Sequence, residues 1–154
     1  MDMNYHGRYG FSALANRPAY DWPGGKRLAV CLCNNIEWFS FMTGLGSDHT
    51  VPGAAQTTRN YAWRDYGNRV GLWYLFDLLD ELGLPASHNI NAAVLYNCPQ
   101  VVDRIRARGD EVIGHGVTNS ERQDIMDEST ERAMINETTE AITRHFGEPP
   151  KGWL

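Results

Sequence analysis

"RLAVCLCNN", Arg27 to Asn35, is apolar over most of its length and does not alternate. A strand with one wet face alternates, whereas an unbroken apolar run suits a strand buried on both faces, as in a parallel sheet covered by helices. This reading sets the fold class, and the rest of the chain is read outward from it. Toward the N-terminus, residues 1–26 are rich in aromatics, glycine and proline without periodicity. Tyr5, Tyr9, Phe11, Tyr20 and Trp22 imply an ordered arm, closed by the Pro-Gly-Gly at 23 to 25.

Toward the C-terminus, residues 43 to 66 carry no pattern and read as a long loop, of a length that is usually functional or mobile. Asn68 to Leu82 predicts a helix, with an asparagine cap, apolar Val70, Trp73, Phe76 and Leu79, and Gly83 as its stop. "PASHNIN", Pro85 to Asn91, is a weak second strand. Asn97 is expected to cap the next helix, with Pro99 in its first turn and Val101, Val102 and Ile105 facing inward. Arginines crowd its last turn before Gly109. Glu111 to Gly114 is a third strand, and a helix from about Ser129 to Phe146 carries Met134, Thr138, Ala141, Ile142 and His145 on one stripe. The closing "GWL" opens a fourth strand. Strands alternating with helices specify an α/β fold: a parallel sheet with crossover helices.

The composition restricts partners. With 154 residues, 42% of them apolar, the chain suffices for one domain, and its charge of -5 argues against binding nucleic acid or acidic membranes. No run approaches the ~18 apolar residues of a bilayer span, and the first residues lack the apolar core of a secretory leader, so a cytoplasmic protein is expected. Cys31, Cys33 and Cys98 have no zinc-like spacing and read as buried free thiols. There is no glycine-rich phosphate loop and no Gly-x-Ser-x-Gly elbow.

In parallel sheets chemistry gathers at the carboxyl ends of the strands. Two polar clusters fall there: Asn34, Asn35 and Glu37 after the first strand, and His115 to Asn119 after the third. Glu37, between a buried strand and the aromatic pair Trp38 and Phe39, suits a desolvated base. His115 suits an acid or hydrogen-bond donor. Arg64, Asp65, Tyr66 and Arg69 form a polar group at the mouth of the first helix, where Tyr66 and Arg69 are candidates for gripping substrate and Arg69 for a bidentate clamp on an anion. Asn35 either lines the pocket or ends the strand. Trp38, Phe39, Phe41, Trp63 and Trp73 either wall a pocket or belong to the core. His6, His49, His88 and His145 have no partners at ligand spacing.

"NNIE" after one strand and "GHGVTNSE" after another, with "LLDELGLPASHNINAAVL" between them and "PPKGWL" at the end, resemble the polysaccharide deacetylase family. "NIE" and "YGNRVG" (66 to 71) are similar to its branch of allantoinases and cyclic-imide hydrolases. The resemblance implies the first half of a deformed (β/α) barrel over residues 27–154. It also implies hydrolysis of a carbon–nitrogen bond other than a peptide, in a small amide, ureide, cyclic imide or N-acetyl sugar. Glu37 falls on the position of the family's base, His115 on its first metal histidine and Asn119 on its second. Trp38 stands where the metal-binding Asp would be.

Tryptophan does not coordinate, and an amide oxygen is a poor zinc ligand. The cofactor therefore stays open: a divalent metal has weak support, with Glu37, His115 and Asn119 its only candidate ligands. The expected site is Glu37 and His115 as catalytic groups, with Asn35, Tyr66, Arg69 and Asn119 binding substrate. The alternative is an inactive module that holds a ligand in the same cleft. The family's barrel is about twice this long. A fragment, a longer natural chain, or a half that pairs with a second copy as a homo-oligomer would each account for that.

Overall fold

A computed structural model describes residues 9–42 and 56–154. Tyr5, His6 and His49, and most of the expected loop, lie outside the described residues. The chain divides into two units, residues 1–30 and 31–154. The first holds two short 3-10 turns, Leu14–Asn16 and Pro23–Gly25, the second closed by an antiparallel bridge between Trp22 and Lys26. The aromatics expected to bury themselves there do not: Tyr20 meets Trp22 edge-on, but Phe11 is 91% exposed.

In the second unit three parallel strands lie in the order β1 (Cys33–Ile36), β2 (Ser87–Ile90), β3 (Glu111–Gly114). Ile36 pairs with Ile90 and Ile90 with Gly114, which aligns the carboxyl ends of all three strands. The strand expected to be weak, β2, is the central one and is buried throughout. The run that announced the sheet is instead its edge. Ladder pairing begins at Cys33, one residue beyond a bond from the Ser87 N–H to the Leu32 carbonyl, and Leu28 and Val30 are 74% and 76% exposed. An apolar run signals burial only where something covers both faces. For the same reason Cys31 and Cys33 are exposed rather than buried, and Cys98 is half-buried.

The second part of the expected loop is a helix. Thr57 and Asn60 form a reciprocal capping box that starts α1 (Thr58–Tyr66), which buries no residue and so shows no apolar stripe to the sequence. It runs through a π-helical turn, Gly67–Gly71, into α2 (Leu72–Glu81). Asn68 is therefore not a cap; it sits inside the π turn. Gly83, at φ +62°, follows α2 as its stop. A short helix that the sequence reading missed, α3 (Ala92–Asn97), follows β2 directly, and the cap of α4 (Pro99–Arg108) is Cys98 rather than Asn97. The Asn97 side chain donates back to the Ala93 carbonyl instead. Helix α5 (Glu128–Phe146) starts at Asp127, whose carboxylate accepts from the Thr130 N–H, and buries Met134, Thr138, Ala141 and Ile142.

Ile36, Phe76, Ile90, Leu95, Val102, Ile105 and Ile142 form the core between the strands and α2 to α5. Each such side chain contributes roughly 1.5–3 kcal/mol by leaving water. Toward the amino ends of the strands the core takes in charge. Buried His88 bonds Asn34 through Nδ1 (2.6 Å) and Asp110 through Nε2 (2.9 Å), and Arg108 Nε donates to the same Asp110 carboxylate (2.6 Å). Burial pushes His88 below the usual imidazole range. Asp110 is held below the usual carboxylate range although burial opposes it, because Arg108, His88 and the Ala86 N–H all bond its oxygens. His88 thus has partners, but in a structural network.

The expected fourth strand begins as a parallel bridge between Gly114 and Trp153. A Cβ on Gly114 would lie 2.5 Å from the Trp153 ring, so this crossing requires glycine.

Candidate active site

The register of β1 and β3 fixes where the two polar clusters meet. Glu37 follows the last residue of β1, and His115 the last residue of β3. Their side chains converge over the carboxyl end of β2, with His115 Nε2 3.3 Å from Glu37 Oε1. Both are partly buried, with 15% of the His115 side chain and 28% of Glu37 exposed. The other imidazole nitrogen, Nδ1, donates to the Leu154 carbonyl at 2.9 Å. With one nitrogen against a carbonyl and the other against a carboxylate, the ring is set up to carry two protons.

The electrostatics follow from that contact. Glu37 is held below the ordinary carboxylate range, chiefly by the hydrogen bond from His115; burial works against this, and His115 charge, the Asn119 amide and the Asn35 amide work with it. His115 is raised above the ordinary imidazole range, first by its bond to Glu37, against desolvation, and then by the Leu154 carbonyl and the Glu37 charge. The pair is an internal carboxylate–imidazolium couple whose titrations belong to both groups.

The surrounding amides orient the pair. Asn35 donates to Glu37 Oε1 (3.3 Å) while its own oxygen accepts from Asn89 (2.8 Å). Asn68, delivered by the π turn, donates to the Glu37 carbonyl (2.8 Å). The Asn119 N–H bonds the Trp38 carbonyl (2.8 Å), and Ser120 Oγ accepts from the Ser40 N–H (2.7 Å), lacing the loops after β1 and β3 together. On the α1 side, an open cleft of ≈ 240 Å³ is lined by Asn35, Glu37, Phe39, Arg64, Asn68 and Leu75 among others. Arg64 lies over the Phe39 ring, 3.6 Å from its centroid. On the other side, His115, Asn119, Met126 and Met134 line a second cleft of ≈ 230 Å³.

Among the expected site residues, Glu37, His115, Asn119 and Asn35 come together. Tyr66 and Arg69 do not join them by a hydrogen bond or ion pair: Tyr66 is exposed, and Arg69, 72% exposed, is paired with Asp65 one helical turn away (2.5 Å). The aromatic set divides. Trp38 and Trp73 pack against the core and Phe39 lines the cleft, whereas Phe41 and Trp63 are largely exposed. The sequence reading missed Asn68 and Asn91. In the sequence Asn68 has the pattern of a helix cap and Asn91 that of a strand end, with no hint of the latter's role beyond a polar residue beside the run Ala92 to Leu95.

A metal of the kind that the resemblance implies does not fit these donors. Among the described residues no group of three His, Cys, Asp or Glu side chains converges on one point. The Asn119 oxygen already accepts from Asn91 (3.0 Å), and Trp38 has no ligating atom.

Comparison with known proteins supports the fold and gives the family. A search of curated proteins gives no significant match. Among solved structures the chain is similar to Puue allantoinase (TM-score 0.75, 24% identity, 90% of this chain and 50% of that one). It is equally similar to a probable polysaccharide deacetylase from Pseudomonas aeruginosa PAO1 (TM-score 0.75, 24% identity, 90% and 50%). A putative polysaccharide deacetylase from Mycobacterium smegmatis gives a TM-score of 0.69 at 28% identity, over 89% of this chain and 46% of that one. The chain spans about half the length of the solved structures it matches. Its sheet and helices are thus half of a deacetylase-type (β/α) barrel. The polysaccharide deacetylase model matches residues 61–154, which include His115 and Asn119 and begin after Glu37. Matched over more than half of its length, the chain belongs to the polysaccharide deacetylase family.

Proposed function

We propose that the protein hydrolyses a carbon–nitrogen bond other than a peptide, in a small amide, ureide or cyclic imide, or removes the acetyl group of an amino sugar. The observation that carries this reading is the 3.3 Å contact of Glu37 with His115 at the carboxyl end of the sheet. A carboxylate held ionised takes a proton from water as the water attacks the carbonyl carbon. A protonated imidazole and the Asn119 amide donate to the oxygen on which negative charge develops. His115 then gives its proton to the leaving nitrogen, and Glu37 ends with the proton from water, so the pair exchanges roles and resets through solvent. Asn35 and Asn68 hold Glu37 in place. The small-molecule reading is supported by the "NIE" motif and by the likeness in fold to an allantoinase.

The test is an assay of the full-length protein against N-acetyl sugars, allantoin and cyclic imides, with and without chelator. Turnover of at least one substrate, insensitive to chelator and reduced at least ~100-fold in Glu37→Gln, is expected. Absence of turnover on all of them, or full activity in Glu37→Gln, overturns the reading. The Trp38 at the ligand position favours a second reading, a module that binds a sugar or heterocycle without cleaving it. Calorimetry showing binding without product, unchanged in Glu37→Gln, would support that one.

A further inference from the structure

Asn91, the residue after β2, is completely buried and bonds the loops after β1 and β3. Its Oδ1 accepts from the Trp38 backbone N–H (2.8 Å). Its Nδ2 donates to the His115 backbone carbonyl and to Asn119 Oδ1 (3.0 Å). A backbone N–H only donates and a backbone carbonyl only accepts, so the Asn91 amide has one permitted orientation. That orientation is passed on. The atom of Asn119 that faces the Asn91 NH₂ has to be the oxygen, and the bond from the Asn119 N–H to the Trp38 carbonyl keeps the residue from moving away. The Asn119 NH₂ is what remains for the site, and it is the only part of that amide able to donate toward a carboxylate or a carbonyl.

We propose that Asn91 is a positioning residue that turns the Asn119 amide so that its NH₂, and not its oxygen, faces Glu37 and any bound carbonyl. Position 119 then serves as a fixed hydrogen-bond donor and is closed to cations. The Asn91 orientation is set by backbone partners, that of Asn119 by its bond to Asn91, and only the use of the Asn119 amide toward a substrate oxygen rests on the hydrolytic reading above. Turnover is therefore kept out of the test.

In the isotopically labelled full chain, the Asn119 side-chain protons should show Overhauser contacts to the Glu37 methylenes, and the Asn119 Nδ2 resonance should shift as Glu37 titrates. Asn91→Asp keeps the shape and replaces the donor by an acceptor. In it, both signals should be lost, and the Glu37 carboxyl titration should move upward. Unchanged Asn119 contacts in Asn91→Asp, or their absence from the wild type, overturn the proposal. Where Asn91→Asp does not fold, the scalar coupling across the hydrogen bond from Asn91 Nδ2 to Asn119 Cγ in the wild type decides the matter: present, it supports the assignment; absent, it overturns it.

Discussion

With Nε2 against Glu37 and Nδ1 against the Leu154 carbonyl, His115 keeps its proton more firmly than a free imidazole, and Glu37 gives its own up more readily. The proposed reaction needs Glu37 ionised and His115 protonated. Its rate should therefore stay level across neutral pH, fall on the acid side only below the ordinary carboxylate range, and fall on the alkaline side only above the ordinary imidazole range. A pH profile of kcat/KM checks this. His115→Gln, which keeps a donor but has no titration, should remove the alkaline limb and lower the plateau by ~10²–10⁴-fold. Glu37 and His115 were legible because each ends an apolar run and their topology sets them side by side. Asn91 was not, since a lone buried asparagine has no sequence signature, and its importance lies in a bond to a backbone amide 53 positions away.

At the scale of elements, the meeting of Gly114 with Trp153 controls more than strand pairing. The same bridge places the Leu154 carbonyl on His115, because Gly114 donates to the Gly152 carbonyl and accepts from the Leu154 N–H. Gly114→Ala puts a methyl group into the Trp153 ring. It should cost about 1–3 kcal/mol in urea unfolding and bring the His115 titration down toward that of a free imidazole, since an acceptor is lost. A His115 titration unchanged in this variant would show that the bridge is unimportant to the site. Element types were read well where a core face imposes a period, as in α2, α4 and α5. They were missed where it does not: α1 buries no residue, and α3 is only six residues long, with its first four all buried. The edge position of β1 was illegible for a related reason, since sequence records apolarity and not what covers it.

For the whole molecule, the two titrations of the site act on stability in opposite pH directions. The depressed Glu37 contributes above its unfolded value and loses that contribution as pH falls through its folded value. The raised His115 contributes fully below its unfolded value and loses that as pH rises through its folded one. The difference in unfolding free energy between the wild type and His115→Asn should thus be largest between the ordinary carboxylate and imidazole values and shrink on both sides. Urea titrations at a series of pH values measure it; a difference independent of pH would mean that the couple does not stabilise the fold. Buried His88, depressed by burial, adds an acid-side loss common to both proteins that cancels in the comparison. No helix among the described residues is long and apolar enough to cross a membrane.

The Asn91 amide also bears on how such a site can change by mutation. An imidazole installed at 119 as a ligand must carry a proton on its other ring nitrogen. At the end facing Asn91 that proton would meet a second N–H. A metal-binding histidine at 119 would therefore be favoured by an acceptor at 91 and disfavoured by the Asn91 NH₂. The donor that would oppose such a ligand belongs to a side chain that is wholly buried.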